Sequence, residues 1–304
     1  MSTTAVVQLD NLSKTIKGKK LIHNVNLDLY GGEVFGFLGP NGAGKTTTIR
    51  MMVGLMKPTS GSVKINGVDL QEQFETAVSQ VGAIVENPEL YKHLSGYQNL
   101  IHYSRMHKGI TKKRLQEVID QVGLTNRIHD KVKSYSLGMR QRLGLGQALL
   151  HSPKFLILDE PTNGLDPAGI REFRTYLRQI AQEDNVCILV SSHLLSEIEL
   201  MCDRVGIIQK GTLIDIKQVH GDDQQVEWKF VLDQPAQAMQ LLSTNIKEEV
   251  RATTDGVSVT ISQEQVPAVN KLLVEAGFNI YSIESTRETL EDEFLKVTRG
   301  EQVG

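Results

Sequence analysis

Residues 5–35 alternate short apolar runs with turn chemistry at Lys17-Gly18-Lys19 and Gly31-Gly32, which predicts antiparallel strands leading into the GEVFGFLG run at 32–39. A glycine-rich loop and a helical TTTIRMMVGL stretch follow. From about residue 87 to 150 the period becomes helical. Leu115, Val118, Ile119 and Val122 fall at i, i+3, i+4 and i+7, and Gly123 stands where a helix stops. Strand-like runs return at KFLILDE, VCILVSS and RVGIIQKGTLI with helical stretches between them, so a largely parallel sheet with crossover helices is predicted.

The texture changes after about residue 220, where Gly221-Asp222-Asp223 reads as a linker. Beyond it QVEWKFVL alternates as a strand, PAQAMQLLS is helical, and two short strands flank Asp255-Gly256. QVPAVNKLLVEAG is helical again and NIYSIES is a strand, giving the β-α-β-β-α-β order of a split βαβ, ferredoxin-like unit. A last helix is predicted over Leu290–Val297, opened by a loose capping box at Thr289–Asp292. The fold class is therefore α/β. One large domain spans 1–220, with a helical subdomain at about 87–150, and a small α+β domain spans 225–304.

Composition narrows this picture. With 40% hydrophobic and 23% charged residues in 304, the chain is an ordinary globular protein, neither disordered nor fibrous. The N-terminus carries no basic leader with an apolar core, and the longest apolar runs, such as FLIL, are of buried-strand length. Cys187 and Cys202 read as reduced packing residues, because two cysteines make no disulfide framework here and have no metal-ligand company. A net charge of −3 argues against nucleic acid as a partner. The basic clusters Lys14/Lys17/Lys19/Lys20 and Lys112/Lys113/Arg114 read as solvated surface, since no aromatics interleave them.

The chemistry concentrates in a few segments. Gly39, Pro40, Asn41, Gly42, Ala43, Gly44, Lys45 and Thr46, followed by Thr47, fit a phosphate-binding loop set between a strand and a helix. Glycines let backbone N–H groups converge on phosphate oxygens at a helix N-terminus, Lys45 adds a charge, and the Thr46 hydroxyl can ligate Mg²⁺. KFLILDEP ends an apolar strand on Asp159 and Glu160, which alternation aims differently, so that one can hold Mg²⁺ while the other orients water. A lone Asp-Glu pair at a strand end is commonplace; the phosphate loop upstream is what gives this one meaning. His193, after VCILVSS, can reach the γ-phosphate or hold Glu160 and the water in line, although a histidine after a strand is by itself more often structural.

Tyr135-Ser136-Leu137-Gly138-Met139-Arg140-Gln141-Arg142, ahead of Asp159, resembles the signature of ATP-binding-cassette (ABC) proteins. It keeps the serine and second glycine but has Leu137 for the first glycine and Met139 for the glutamine. Asn163-Gly164-Leu165-Asp166 resembles that family's D-loop and His193 its switch histidine. The resemblance implies a P-loop NTPase cassette, with a RecA-like core, an antiparallel β subdomain and a helical subdomain. It also implies ATP and Mg²⁺ as ligands, Glu160 as general base, and nucleotide contacts from Ser136 and Gly138 of a second, identical chain. Ile16 stands where the family often places an aromatic on adenine, and Glu86 where it has a glutamine near the metal.

Glu86 with NPELYKHLSGYQNL and SLGMRQRLGLGQALL, together with the terminal ETLEDEFLKVT, narrows the resemblance to ATPases of bacitracin-resistance and lantibiotic-immunity exporters. That implies a homodimer working under a separate membrane permease, on the cytoplasmic face of the cell membrane. The competing expectation is a soluble cassette ATPase of translation or DNA maintenance, but those usually carry two cassettes or long coiled-coil insertions.

Overall fold

A computed structural model of the chain describes residues 4–219 and 226–285. The chain divides into two compact units, Met1–Val219 and His220–Gly304. The first begins with β1 (Ala5–Ile16), β2 (Lys19–Tyr30), β3 (Val34–Leu38), α1 (Lys45–Met52), β4 (Ser60–Ile65), β5 (Val68–Asp69), α2 (Phe74–Val78) and β6 (Val81–Ile84). A helical region follows with α3 (Gly96–Ser104), α4 (Lys112–Gln121) and α5 (Leu137–Leu149). The unit ends with β7 (Phe155–Asp159), α6 (Pro167–Asp184), β8 (Cys187–Ser192), α7 (Leu195–Met201), β9 (Arg204–Gln209) and β10 (Thr212–Gln218).

These strands make two sheets. An antiparallel one runs β2-β1-β4-β5, and a six-stranded one runs β10-β9-β3-β8-β7-β6. Within the latter, β9, β3, β8, β7 and β6 are parallel and only β10 is reversed. VFGFL, FLILD and CILVSS are buried at every position, as expected of central parallel strands covered on both faces. Leu12, Ile22, Phe35, Phe37, Ile49 and Phe155 belong to one buried cluster shared by the two sheets and α1.

The RVGIIQKGTLI run, expected as one strand, is two. Lys210 and Gly211 both take positive φ, 47° and 80°, and fold β9 back onto β10 with Gln209 facing Thr212. The same Lys-Gly pair makes the β1–β2 turn, where Lys17 and Gly18 take φ 49° and 78°, so a turn signal lies inside the strand-like run. The helical region follows its local signals. Ser95 and Gln98 complete a capping box on α3, Thr111 caps α4, and Gly123 at φ 64° ends α4.

The parallel register sets Leu38 of β3 beside Ser192 of β8, and Ser191 of β8 beside Asp159 of β7. The carboxyl ends of three strands thus share one edge, which is where open α/β sheets place ligands. The second unit contains β11 (Val226–Leu232), α8 (Pro235–Asn245), β12 (Val250–Ala252), β13 (Gly256–Ile261), α9 (Val266–Glu275) and β14 (Ile280–Ser285). Its antiparallel sheet, β12-β13-β11-β14, has the split βαβ order around Phe230, Leu232, Leu242, Val257, Val259 and Leu273. The helix expected at 290–297 and its capping box lie outside the described residues.

Candidate active site

The loop from Gly39 to Gly44 joins β3 to α1, whose first turn offers the unpaired N–H groups of any helix N-terminus. Gly44 sits at φ 113°, and a Cβ there would lie 2.6 Å from Ile22 Cδ1, so only glycine fits between the loop and β2. Ala43 donates to Pro40 O at 3.1 Å and accepts from Gly211 N–H at 2.7 Å, while His23 N–H donates to Gly211 O at 2.8 Å. The unexpected β9–β10 turn therefore braces the loop against β2. Lys45 is buried, and its ammonium donates to Gly39 O at 2.7 Å and Pro40 O at 3.4 Å.

Opposite the loop, the Thr46 hydroxyl donates to Asp159 Oδ2 at 3.1 Å, and Ser191 Oγ donates to Asp159 Oδ1 at 2.5 Å. Glu160 takes φ 49°, rare for a residue with a side chain. Its N–H is held there by Ser191 O at 3.2 Å and Ser191 Oγ at 3.0 Å. The carboxylate lies 3.5 Å from Lys45 Nζ, accepts from Asn163 Nδ2 at 2.7 Å and contacts His193 Nδ1 at 2.9 Å. Burial pushes this carboxyl up, yet the Asn163 hydrogen bond and the charges of His193 and Lys45 together outweigh it and hold it below the ordinary glutamate value. A second network backs the first: Thr162 Oγ1 and Ser192 Oγ each donate to Glu197 Oε2 at 2.7 Å.

Lys45, Thr46, Asp159, Glu160 and His193 are thus brought together from three places in the chain. Ser136 and Gly138 are not among them. Ser136 caps α5, accepting from Met139 N–H at 3.2 Å, and lines a separate cleft with Gly138, Gly164, Leu165 and Asp166. Ile16, 38% exposed, sits at the tip of the β1–β2 hairpin opposite Lys19, and the same hairpin's Ile22 lies against Gly44. Glu86, at φ 71°, pairs with Arg50 Nη2 at 2.8 Å, and Arg50 stands one helical turn beyond Thr46 on α1. Its charge is therefore not bare, although a pair this exposed contributes at most about 1 kcal/mol.

Sequence pattern does not single out Ser191 or Arg50. A serine inside an apolar strand and an arginine on a helix carry no signal of their own; the strand register and α1 bring them to their partners.

The family model for the ABC transporter matches residues 22–163. The chain is 54% identical to the ABC transporter ATP-binding protein YhcH of Bacillus subtilis over 96% of both chains. It belongs to the ABC transporter ATP-binding proteins. The cassette is accordingly an ATPase whose hydrolysis is coupled to transport. Its identity with the bacitracin transport ATP-binding protein BcrA of Bacillus licheniformis is 40%, over the whole of both chains. Among solved structures, cbiO1 of Clostridium perfringens, part of the ABC transporter complex cbiONQ, superposes with TM-score 0.66 at 25% identity over 71% of this chain and 89% of that one. Among the described residues no helix is long and apolar enough to cross a membrane.

Proposed function

We propose that this cassette drives export of a peptide antibiotic or similar drug. It does so as a homodimer docked under a separate membrane permease on the cytoplasmic face, with each nucleotide held between two copies. The observation that carries the reading is the division of the site: the Lys45–Glu160–His193 cluster stands in one place and the exposed Ser136 cap in another. Two copies related by a twofold axis bring one half-site to the other twice. The full-length likeness to a bacitracin transport protein supports the substrate class.

Thr46 and Asp159 fit Mg²⁺: a hydroxyl and a carboxylate oxygen 3.1 Å apart are hard donors, and so few protein ligands suit an ion that keeps its waters. When bound, the ion neutralises charge on the phosphates. Glu86, one turn away through Arg50, is assigned to that ion's water shell and to the segment after Asn87. Glu160 accepts the proton of the water that attacks the γ-phosphorus in line, and His193 and Asn163 orient the carboxylate. Lys45 and the partner copy's signature hydroxyl stabilise the charge that develops on the phosphoryl oxygens. Ile16 covers the adenine without stacking.

The test is drug susceptibility in cells expressing this chain together with its proposed membrane permease. Bacitracin tolerance should rise with the wild type and not with Glu160→Gln. Equal tolerance for both proteins would remove the export reading.

A further inference from the structure

The signature segment and the loop after Glu160 meet through Leu137 and Gly164, with Leu165 and Gly138 beside them. A Cβ built on Gly164 would lie 2.9 Å from Leu137 Cδ2, and one built on Gly138 would lie 3.7 Å from Leu165 Cδ2. Leu137 therefore lies close against Gly164, while Leu165 leaves room for a methyl group at Gly138, and both leucines line a cleft of about 360 Å³ shared with Ser136 and Asp166. Leu137 is the departure from the usual signature glycine, and Gly164, at φ 77°, is the position that gives it room.

Both ends of this contact carry chemistry. Leu137 opens α5 directly after its cap, Ser136, so the seat of one side chain sets the placement of the other residue. On the opposite side, Asn163 precedes Gly164 and donates to Glu160 Oε2 at 2.7 Å, and Leu165 N–H donates to Thr162 O at 3.0 Å. A leucine on a glycine could be mere gap-filling. The closeness of Leu137 to Gly164, and its position between Glu160 and Ser136, set this contact apart.

We infer that Leu137 is a positioning residue: seated on Gly164, it fixes the placement of Ser136 and ties it to the loop that holds Glu160. The inference rests on the two-copy site proposed above. In that arrangement the contact links the Glu160 that serves a cassette's own nucleotide to the Ser136 that serves its partner's. Enlarging Gly164 has two consequences that can be separated. Strain from the positive φ is the same whatever residue 137 is, whereas collision with the leucine vanishes when the leucine is removed.

The experiment is a double-mutant cycle in the Glu160→Gln background, with the Kd of the Mg-ATP-driven dimer measured by sedimentation velocity. Gly164→Ala should raise that Kd by at least about threefold more when Leu137 is present than in Leu137→Ala, the coupling expected of side chains in contact. Binding of a fluorescent ATP analogue to the monomer should stay within about twofold, because Gly164 does not touch the phosphate loop. Equal factors in both backgrounds would overturn the inference. Leu137→Ala alone leaves both glycines in place and decides the matter where Gly164→Ala does not fold. It should raise the dimer Kd by at least about threefold, and an unchanged Kd would overturn the inference. A Glu160→Gln parent that stays monomeric with Mg-ATP bound brings down the two-copy site and this inference with it; a parent that dimerises while the cycle is additive brings down this inference alone.

Discussion

Ser191→Ala removes one oxygen atom from the wall of the site. Ser191 is fully buried, and its hydroxyl donates to Asp159 Oδ1 at 2.5 Å and accepts from Glu160 N–H at 3.0 Å. The second bond is partly replaceable, since the same N–H reaches Ser191 O at 3.2 Å. The first is not. Asp159 keeps only Thr46 at 3.1 Å, so a charge-assisted bond worth about 1.5–3 kcal/mol is lost from a buried carboxylate. At roughly 2–4 °C per kcal/mol, the cassette's unfolding transition should drop by about 3–12 °C. A carboxylate free to turn away also loses its alignment with Thr46. If the same energy is missing in the transition state, kcat falls on the order of ten- to a hundredfold. Ser192→Ala is the matched control, because Ser192 Oγ donates to Glu197 and not to Asp159. Melting curves and steady-state ATPase assays on the two variants should show comparable destabilisation but a kcat loss confined to Ser191→Ala. Equal kcat losses in both, or a Ser191→Ala protein that melts with the wild type, would refute the reasoning.

Ile16→Tyr should tighten ATP binding by about 1 kcal/mol through stacking on adenine, read by fluorescent-nucleotide titration; unchanged affinity would mean that residue 16 is not at the base. Glu86→Ala should abolish drug tolerance in cells carrying the permease while the purified protein keeps a substantial fraction of its ATPase rate, with Glu86→Gln in between. Parallel collapse of both activities would make Glu86 a catalytic ligand. His151 is pushed below the ordinary imidazole value, first by burial and then by His107 and Arg114, although its hydrogen bond with Val81 O opposes this. A histidine held neutral in the folded state stabilises fully above about pH 6.5, and that stabilisation is lost as pH falls toward its depressed pKa. Between pH 7.5 and 5.5 the wild type should therefore lose more melting temperature than His151→Gln, and identical losses would rule the effect out.

What could be read from the sequence follows how local each feature is. The phosphate loop lies within one strand–turn–helix passage, so glycine spacing and flanking periodicity reveal it without knowledge of the fold. Asp159, Glu160 and His193 were legible because each ends an apolar strand, and parallel strands align their carboxyl ends. The brace that Gly211 gives the loop was not, since it exists only once the β9–β10 turn meets the phosphate loop in the fold. Neither was the hold of Ser191 on both acids, which exists only once β7 and β8 are in register, nor the pairing of Arg50 with Glu86 across 36 residues of chain. Leu137 was visible as a departure from a pattern, but its seat on Gly164 appears only when α5 and the loop after β7 meet.

Glu160→Gln tests most directly whether two copies complete the site. Losing the base should remove about 10²- to 10⁴-fold of the hydrolysis rate while leaving ATP binding intact, so that unspent nucleotide holds the copies together. Size-exclusion chromatography of this variant with Mg-ATP, with light scattering for mass, should give a dimer carrying two nucleotides that reverts to monomer when ATP is withheld. A strictly monomeric profile with ATP bound would contradict the account.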